Sequence, residues 1–365
     1  MMTSIYYTEE GNLSLLKDKI IAIIGYGNQA RAQALNLQDS GLQVIIGPQN
    51  DIYKQRAKND GFSIGEIPEI IEKSDILFLL VSDADMVRIF NDQVKPYLKD
   101  KHTLVFGSGY TVAYDMISPP KNVDVILISP RVPGIVIRES FITKKGYYSF
   151  VGIYQDFTGL AKKTLLALVR GIGGLIKPAI EVTFKQQAVL GLFVTQTFTY
   201  ALTQVLMRSI LRLIEDGYPP EAIFIELILS GEGGFTVDKI IDVGMIRQMN
   251  FHSQTSQYGQ MTRGMKFQKV AKEVEEIQRV ILKEIEDGRF TKEWKKDESK
   301  LRLRIMRYLE SKTKFASIEQ EVRDTLGFKK SIIAEKLSFP PETEINKYPS
   351  LKEELEEMKE FYDEL

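Results

Sequence analysis

The stretch Lys19 to Gly41, KIIAIIGYGNQARAQALNLQDSG, decides the fold. Lys19 to Ile24 is a β-branched run ending on glycine, which reads as a strand. Asn28 to Ser40 has Ala30, Ala34, Leu35 and Leu37 as apolar positions and Gly41 as a stop, which reads as a helix. Between them, Gly25-Tyr26-Gly27-Asn28-Gln29-Ala30 spells G-x-G-x-x-A. In a strand–turn–helix setting Gly25 permits the tight turn, Gly27 lets the backbone approach a pyrophosphate, and Ala30 keeps the helix close to the strand. Phosphates then meet unpaired N–H groups at the positive end of the helix dipole. The expectation is a dinucleotide site, for NADH or NADPH, built on Gly25, Tyr26, Gly27, Asn28 and Gln29. A plain βα turn without ligand is the competing reading.

Outward from this loop the pattern repeats. Leu42–Ile46, Asp75–Val81, Thr103–Phe106 and Asp124–Ile128 are apolar strands at spacings that allow crossover helices. Continuous apolar strands alternating with helices mean a parallel sheet covered on both faces, a Rossmann-like doubly wound α/β domain. Choice between the two nicotinamides should lie after the second strand, in Gly47 to Arg56. An acid there suits a free ribose hydroxyl and a base suits a 2′-phosphate. Asp51 is the candidate for the first and Lys54 and Arg56 for the second, and a solvated loop accounts for these three equally well; Gln49 is a further cofactor-binding candidate.

After Gly173-Gly174 the character changes. Glu181 to Gly217 has no Gly or Pro break except Gly191. Further helices are expected over Glu221–Leu229, Phe235–Met245 and Met265–Ile285. From about Lys329 the chain changes again, with Pro340-Pro341 and Pro349 as punctuation. Ser350 and Glu353 read as a capping box for an acidic helix over Leu351–Phe361. The expected domains are 1–180, Rossmann-like; 181–328, all-helical; and 329–365, an acidic helical extension.

Composition narrows the function. The 365 residues carry a formal net charge of −1, so a nucleic-acid or anionic-membrane partner is not expected. No Cys and two His remove disulfides, thiol chemistry and multi-histidine metal sites, and a cytosolic (cytoplasmic) enzyme fits best. Ala188 to Met207 is free of charge over a bilayer-spanning length. Thr195, Gln196, Thr197, Thr199, Thr203 and Gln204 are costly in lipid, so a helix buried in protein is the preferred reading, with no membrane.

These residues resemble the ketol-acid reductoisomerase family. Gly25 to Gly41 is similar to its cofactor loop and first helix. Ser129-Pro130-Arg131 with Gly134 and Arg138 resembles its second signature, and Glu181-Val182-Thr183-Phe184-Lys185 the start of its helical domain. Gly217-Tyr218-Pro219-Pro220-Glu221, Thr262-Arg263-Gly264 and Gly288–Trp294 match later stations, so the likeness runs from about residue 5 to 328. The resemblance implies a knotted short-form helical domain interlocked into a homodimer, with the uncharged helix from Ala188 as dimer core. It implies a magnesium-dependent alkyl shift in a 2-aceto-2-hydroxy acid, completed by hydride transfer from NADPH.

The departures fall where that chemistry lives. Two magnesium ions need several carboxylates. The family supplies them as two i, i+4 pairs, which align with Gly191 and Thr195 and with Glu226 and Ser230, leaving one acid of four. Glu232, about 600° of helix beyond Glu226, faces elsewhere. A family histidine is Ser108, another is Ile135, and a lysine is Arg131, which keeps the charge and changes its geometry. What remains is the cofactor loop, with Ser108 and Gly134 as further cofactor-binding candidates, then Arg138 and the catalytic candidates Lys185, Glu226 and Ser253. Each has a plain alternative: a helix-end cation, a surface acid, a capping hydroxyl. The expectation is an NAD(P)-dependent reductase of a small carbonyl or imine substrate, with the magnesium pair absent and no metal ligands. A non-catalytic paralogue, pairing with an active homologue, is the alternative; a full isomeroreductase of branched-chain amino-acid synthesis ranks third.

Overall fold

The alternating runs resolve, in the computed structural model, into a sheet of nine strands among the described residues, which are 3–328 and 337–365. The strands are β1 (Ile5–Tyr6), β2 (Ile20–Ile24), β3 (Gln43–Gly47), β4 (Ser63–Ile64), β5 (Ile76–Leu79), β6 (Thr103–Phe106), β7 (Asp124–Pro130), β8 (Ser149–Gln155) and β9 (Ala179–Glu181). Their order is β1-β9-β8-β7-β6-β5-β2-β3-β4. The strands from β2 to β7 are parallel, as expected. The chain winds from β2 to β4, then returns to lay β5 on the other side of β2. That reversal opens a crevice at the carboxyl ends of β2 and β5, where open α/β sheets bind their ligands.

The crossovers are α1 (Asn28–Asp39), α2 (Asp51–Asn59), α3 (Ile67–Lys73), α4 (Asp83–Ile89), α5 (Tyr110–Ala113), α6 (Gly134–Ile142) and α7 (Ala161–Gly171). Strand side chains alternate between two cores. Ile21, Ile23, Phe78 and Val105 pack with α1 and α7; Ala22, Ile24, Leu77 and Leu104 pack with α3 and α4. Both faces are covered, which is why these strands are apolar throughout.

The sheet is mixed rather than purely parallel. β8 runs antiparallel to β7, β9 is parallel to β8, and β1 closes the edge antiparallel to β9. The pairing of Ile5 with Ile180 joins segments far apart in sequence, so no local pattern announces it.

The chain divides into Met1–Gly191 and Leu192–Leu365. The sequence reading placed its division after residue 180. In the structure α8 (Phe184–Phe193) begins inside the first core: Phe184 is buried, its ring edge-on to Phe106 at 6.0 Å. The second unit is helical: α9 (Tyr200–Glu215), α10 (Pro220–Phe224), α11 (Glu232–Val243), α12 (Gln254–Gly264), α13 (Gln268–Glu286), α14 (Arg289–Trp294), α15 (Asp297–Glu310), α16 (Lys314–Thr325), α17 (Glu342–Ile345) and α18 (Pro349–Asp363). π-helical turns at Val194–Thr199 and Ile225–Leu229 interrupt the runs read as single helices. Phe184–Glu215 is the one described helix long and apolar enough to cross a membrane, by length and composition only.

The boundary expected near Lys329 falls among residues 329–336, outside the described residues. Beyond it the tail packs on α15, where Ile345 and Leu351 join Leu301 and Ile305 in one buried cluster. Ser350 does not cap α18. Pro349, its φ fixed for a helix, opens the helix two residues earlier, after Tyr348, and the Ser350 hydroxyl donates to Glu298 instead.

Candidate cofactor cleft and active site

The crevice at the carboxyl ends of the parallel strands is a cleft of about 830 Å³. At its centre is the glycine loop. Gly25 sits at φ +99°, and a Cβ there would lie 2.6 Å from the Leu80 carbonyl oxygen on β5's exit, so glycine is required on both counts. Gly27 differs. Its φ of −73° suits any residue, and a Cβ would meet nothing closer than the Tyr53 hydroxyl at 3.9 Å. No side chain caps α1, so its first N–H groups face the cleft unclaimed by a cap. The empty volume over Gly27 and this uncapped 12-residue helix fit a pyrophosphate.

Of the expected cofactor residues, Gly27, Asn28, Gln29, Gln49 and Ser108 line the cleft. Tyr26 turns the other way. It is fully buried, stands edge-on to Phe62, and donates its hydroxyl to Asp60 at 2.8 Å. Arg31 pairs with the same carboxylate at 2.7 Å and holds Asp60 below the usual carboxylate range, while burial raises Tyr26. Gly134 opens α6 against α1, where a Cβ would lie 2.2 Å from the Asn28 carbonyl oxygen; its role is close packing under the loop. Arg138 braces the same packing through Asp39 at 2.7 Å and Asn36 at 2.8 Å.

Beyond β3, Gln49, Asn50 and Tyr53 face the cleft. Asn50 caps α2 by accepting from the Tyr53 N–H at 2.9 Å, and Arg56 lies over the Tyr53 ring at 5.8 Å. Asp51 is exposed in the first turn of α2 and is not part of the lining.

At the other end stand residues from the exits of β6 and β7 and from α8: Ser108, Ser129, Arg131 and Gln187. Gln187 is buried and accepts from the Gly109 N–H at 2.6 Å, pinning the Ser108 turn to α8. Arg131 lies over the Phe150 ring at 5.0 Å. Ser82 and Gln187 were not singled out from sequence, and Ser129 entered only as part of the second signature; they come from the exit of β5, from α8 and from the end of β7, and strand-end position is the signal that could have found the two serines. Lys185 is near this end on α8 but outside the lining, its Nζ 3.6 Å from the Tyr114 ring centroid.

Glu226 and Ser253 lie in the helical unit. Glu226 is exposed in a π-helical turn. Ser253 caps α12, accepting from the Ser256 N–H at 3.2 Å. At the four positions that the resemblance set against the family's magnesium ligands, Gly191 has no side chain, Thr195 donates to the Leu192 carbonyl at 3.0 Å, and Ser230 donates to the Glu226 carbonyl at 3.3 Å. One carboxylate and two engaged hydroxyls do not fit a two-magnesium cluster. Among the described residues no three His, Asp or Glu side chains come together as a metal site.

A glycine-loop crevice at a topological switch point, followed by a helical unit, defines an NAD(P)-binding oxidoreductase fold. Residues 15–177 match the acetohydroxy acid isomeroreductase, NADPH-binding domain, and residues 184–327 match the ketol-acid reductoisomerase, C-terminal domain. The chain belongs to the ketol-acid reductoisomerase family. It is 34% identical over 312 residues to the ketol-acid reductoisomerase (NADP(+)) of Pyrobaculum islandicum, covering 85% of this chain and 93% of that protein. The Pyrococcus abyssi enzyme of the same name is 35% identical over 296 residues, covering 80% and 88%. Among solved structures, an NADH-preferring ketol-acid reductoisomerase from an uncultured archean superposes with a TM-score of 0.81 at 31% identity, covering 88% of this chain and 98% of that one. A semialdehyde dehydrogenase NAD-binding protein from Cupriavidus necator, at 17% identity and a TM-score of 0.51 over 71% and 99% of the chains, shares the fold alone.

Proposed function

We propose that this chain is an NAD(P)H-dependent reductase of a small carbonyl or imine substrate that works without the two-magnesium alkyl shift. The observation that carries the reading is Gly27. The protein's own packing does not require glycine there, so the space it leaves is kept for a ligand. The relatives are named for NADP(+) and one solved relative is described as NADH-preferring, and both nicotinamides are retained as candidates.

A bound dihydronicotinamide supplies a hydride. The chain's residues hold the acceptor against the β6–β7 exits. The proton for the reduced oxygen or nitrogen comes from water or from Lys185, whose Nζ lies over the Tyr114 ring. Calorimetric titration with NADH and NADPH tests the reading, and binding of neither ends it. Turnover of 2-acetolactate with magnesium and NADPH would overturn the metal-free part.

The competing reading is a non-catalytic paralogue. It is favoured by the absence of a Lys or His from the cleft's described lining. Single-turnover oxidation of bound NADPH by a panel of carbonyl and imine acids separates the two. We also propose a homodimer through the helical units in the cytosol. Ile241, Met245 and Ile246 are 70%, 71% and 87% exposed, more apolar surface than a lone unit ordinarily leaves to water. Light scattering should give twice 41.6 kDa, and a monomer or a hetero-assembly would refute it.

A further inference from the structure

NADPH differs from NADH by one phosphate on the adenosine ribose, which carries close to two negative charges at neutral pH. Sites that take it meet it with a cation just beyond the second strand of the nucleotide fold. Here that strand is β3, at the end of the cleft away from β6 and β7, and Gln49, Asn50 and Tyr53 are the residues beyond it that enter the lining. None of the three is charged. Asn50 is engaged as the cap of α2, its Oδ1 accepting from the Tyr53 N–H at 2.9 Å. Asp51 follows in the first turn and sets a carboxylate at the helix end that would otherwise attract a phosphate. The two cations of this segment stand outside the lining: Lys54, and Arg56, which lies over the Tyr53 ring at 5.8 Å and acts on Asp60. The wall across the glycine loop, from the exit of β5 and from α4, contributes Ser82, Asp83, Asp85 and Arg88. Arg88 is its one cation, and it is paired with Asp85 at 3.4 Å. Two carboxylates thus stand against one guanidinium that is already taken.

We infer that this chain takes NADH and rejects NADPH, with Gln49 and the Asp83–Asp85 wall setting the choice. A free ribose hydroxyl needs only a neutral partner, and the Gln49 amide offers both a donor and an acceptor. A 2′-phosphate in the same place gives up water, finds no unpaired cation, and has carboxylates of its own sign in the opposite wall. The family implies NADPH, and the fold around the glycine loop accommodates either nucleotide. The disagreement lies in the side chains beyond β3, which do not fit the extra phosphate.

This inference rests on the reductase reading, and the test separates the two. The full-length chain is titrated calorimetrically with NADH and with NADPH. NADH should bind more tightly by roughly tenfold to a hundredfold, the worth of the charge-assisted hydrogen bonds that the phosphate goes without. Raising salt from about 0.05 M to about 0.5 M screens the repulsion and should narrow the gap. A cation-lined subsite would do the reverse, with NADPH weakening as salt rises. Gln49→Arg should move the NADPH-to-NADH affinity ratio toward NADPH by about tenfold, one new charge-assisted contact. Asp85→Asn, which removes an acid and releases Arg88, should move it the same way by roughly twofold to fivefold, as befits a partly exposed charge. Gln49 and Asp85 are only partly buried, so both variants should fold, which near-ultraviolet circular dichroism checks. NADPH binding as tightly as NADH overturns the inference and leaves the reductase reading standing. A preference for NADH that neither salt nor Gln49→Arg moves also overturns it, because the choice then lies elsewhere. Failure of the parent chain to bind either nicotinamide refutes the reductase reading first and this inference with it.

Discussion

Gly27→Ala and Gly134→Ala should have opposite signatures, because the two glycines are kept for different reasons. At Gly27 the new methyl enters open cleft, with the Tyr53 hydroxyl 3.9 Å away, and the φ of −73° is one alanine adopts freely. Replacing glycine in an allowed conformation gains about 0.4–1 kcal/mol from the unfolded chain. Alanine at a helix N-cap loses a similar amount. The net is within about 0.5 kcal/mol, a Tm shift of no more than about 2 °C for a unit this size. The same methyl bars a phosphate from the first N–H groups of α1. Losing one charge-assisted hydrogen bond costs about 1.5–3 kcal/mol, so NADH or NADPH affinity should fall roughly tenfold or more. At Gly134 the methyl lands 2.2 Å from the Asn28 carbonyl oxygen and 2.5 Å from its carbon, about 1 Å inside ordinary separation. Helix α6 cannot simply retreat, since Ile137 and Arg138 tie it to α1. Overpacking of this kind costs about 1–3 kcal/mol, or a Tm loss of roughly 2–12 °C. Differential scanning calorimetry with and without nicotinamide reads both quantities. A Gly27→Ala chain that binds NADH and NADPH like its parent would refute the reasoning, as would a Gly134→Ala chain that melts like its parent.

Burial holds His102 below the ordinary histidine range, its ring accepting from the Lys99 N–H at 3.0 Å and facing the Ser74 carbonyl at 3.0 Å. The unfolded chain therefore binds an extra proton as pH falls through about 6.5, so stability rises with pH across that window and is lost as pH drops toward the folded value. Urea midpoints between pH 7.5 and 5 should show this slope, flattened in His102→Gln. Tyr26→Phe should cost about 1 kcal/mol in urea titrations through the lost bond to Asp60, and a large drop in NADH affinity would contradict the inward placement of Tyr26. Leu351→Ala, at a fully buried position on α18, should cost about 2–5 kcal/mol in the helical unit while nicotinamide titrations stay unchanged. EDTA should leave nicotinamide affinity unaltered, a null result readable in the same calorimeter.

The nucleotide half of this molecule was legible because its decisive features are local. A strand, a turn and a helix fall within Lys19 to Gly41, and the turn's chemistry follows from residues adjacent in the chain. What sequence could not resolve is which way a residue inside the motif points. Tyr26 occupies the variable position of G-x-G-x-x-A, and its direction is set by Asp60 and Phe62, which arrive with another crossover. Pro349 moved a helix start that Ser350 and Glu353 had suggested. The distal wall of the cleft draws Ser82, Ser129 and Gln187 from three segments whose meeting depends on strand order.

The same distinction bears on the four positions that the resemblance set against the family's magnesium ligands. Gly25, Gly109 and Gly134 sit where a Cβ would come within 2.6 Å, 2.3 Å and 2.2 Å of backbone oxygen, so the fold itself resists their replacement. Their retention is weak evidence for a bound nucleotide. The aligned ligand positions carry no such constraint: Gly191 has only the Gln187 amide within 4 Å, and Glu226 and Ser230 are exposed. An acid at those places is held by its chemistry alone and can be lost without cost to folding. Retention therefore informs about function only where packing does not already demand it. By that standard Gly27 carries more functional weight than the rest of the signature that surrounds it.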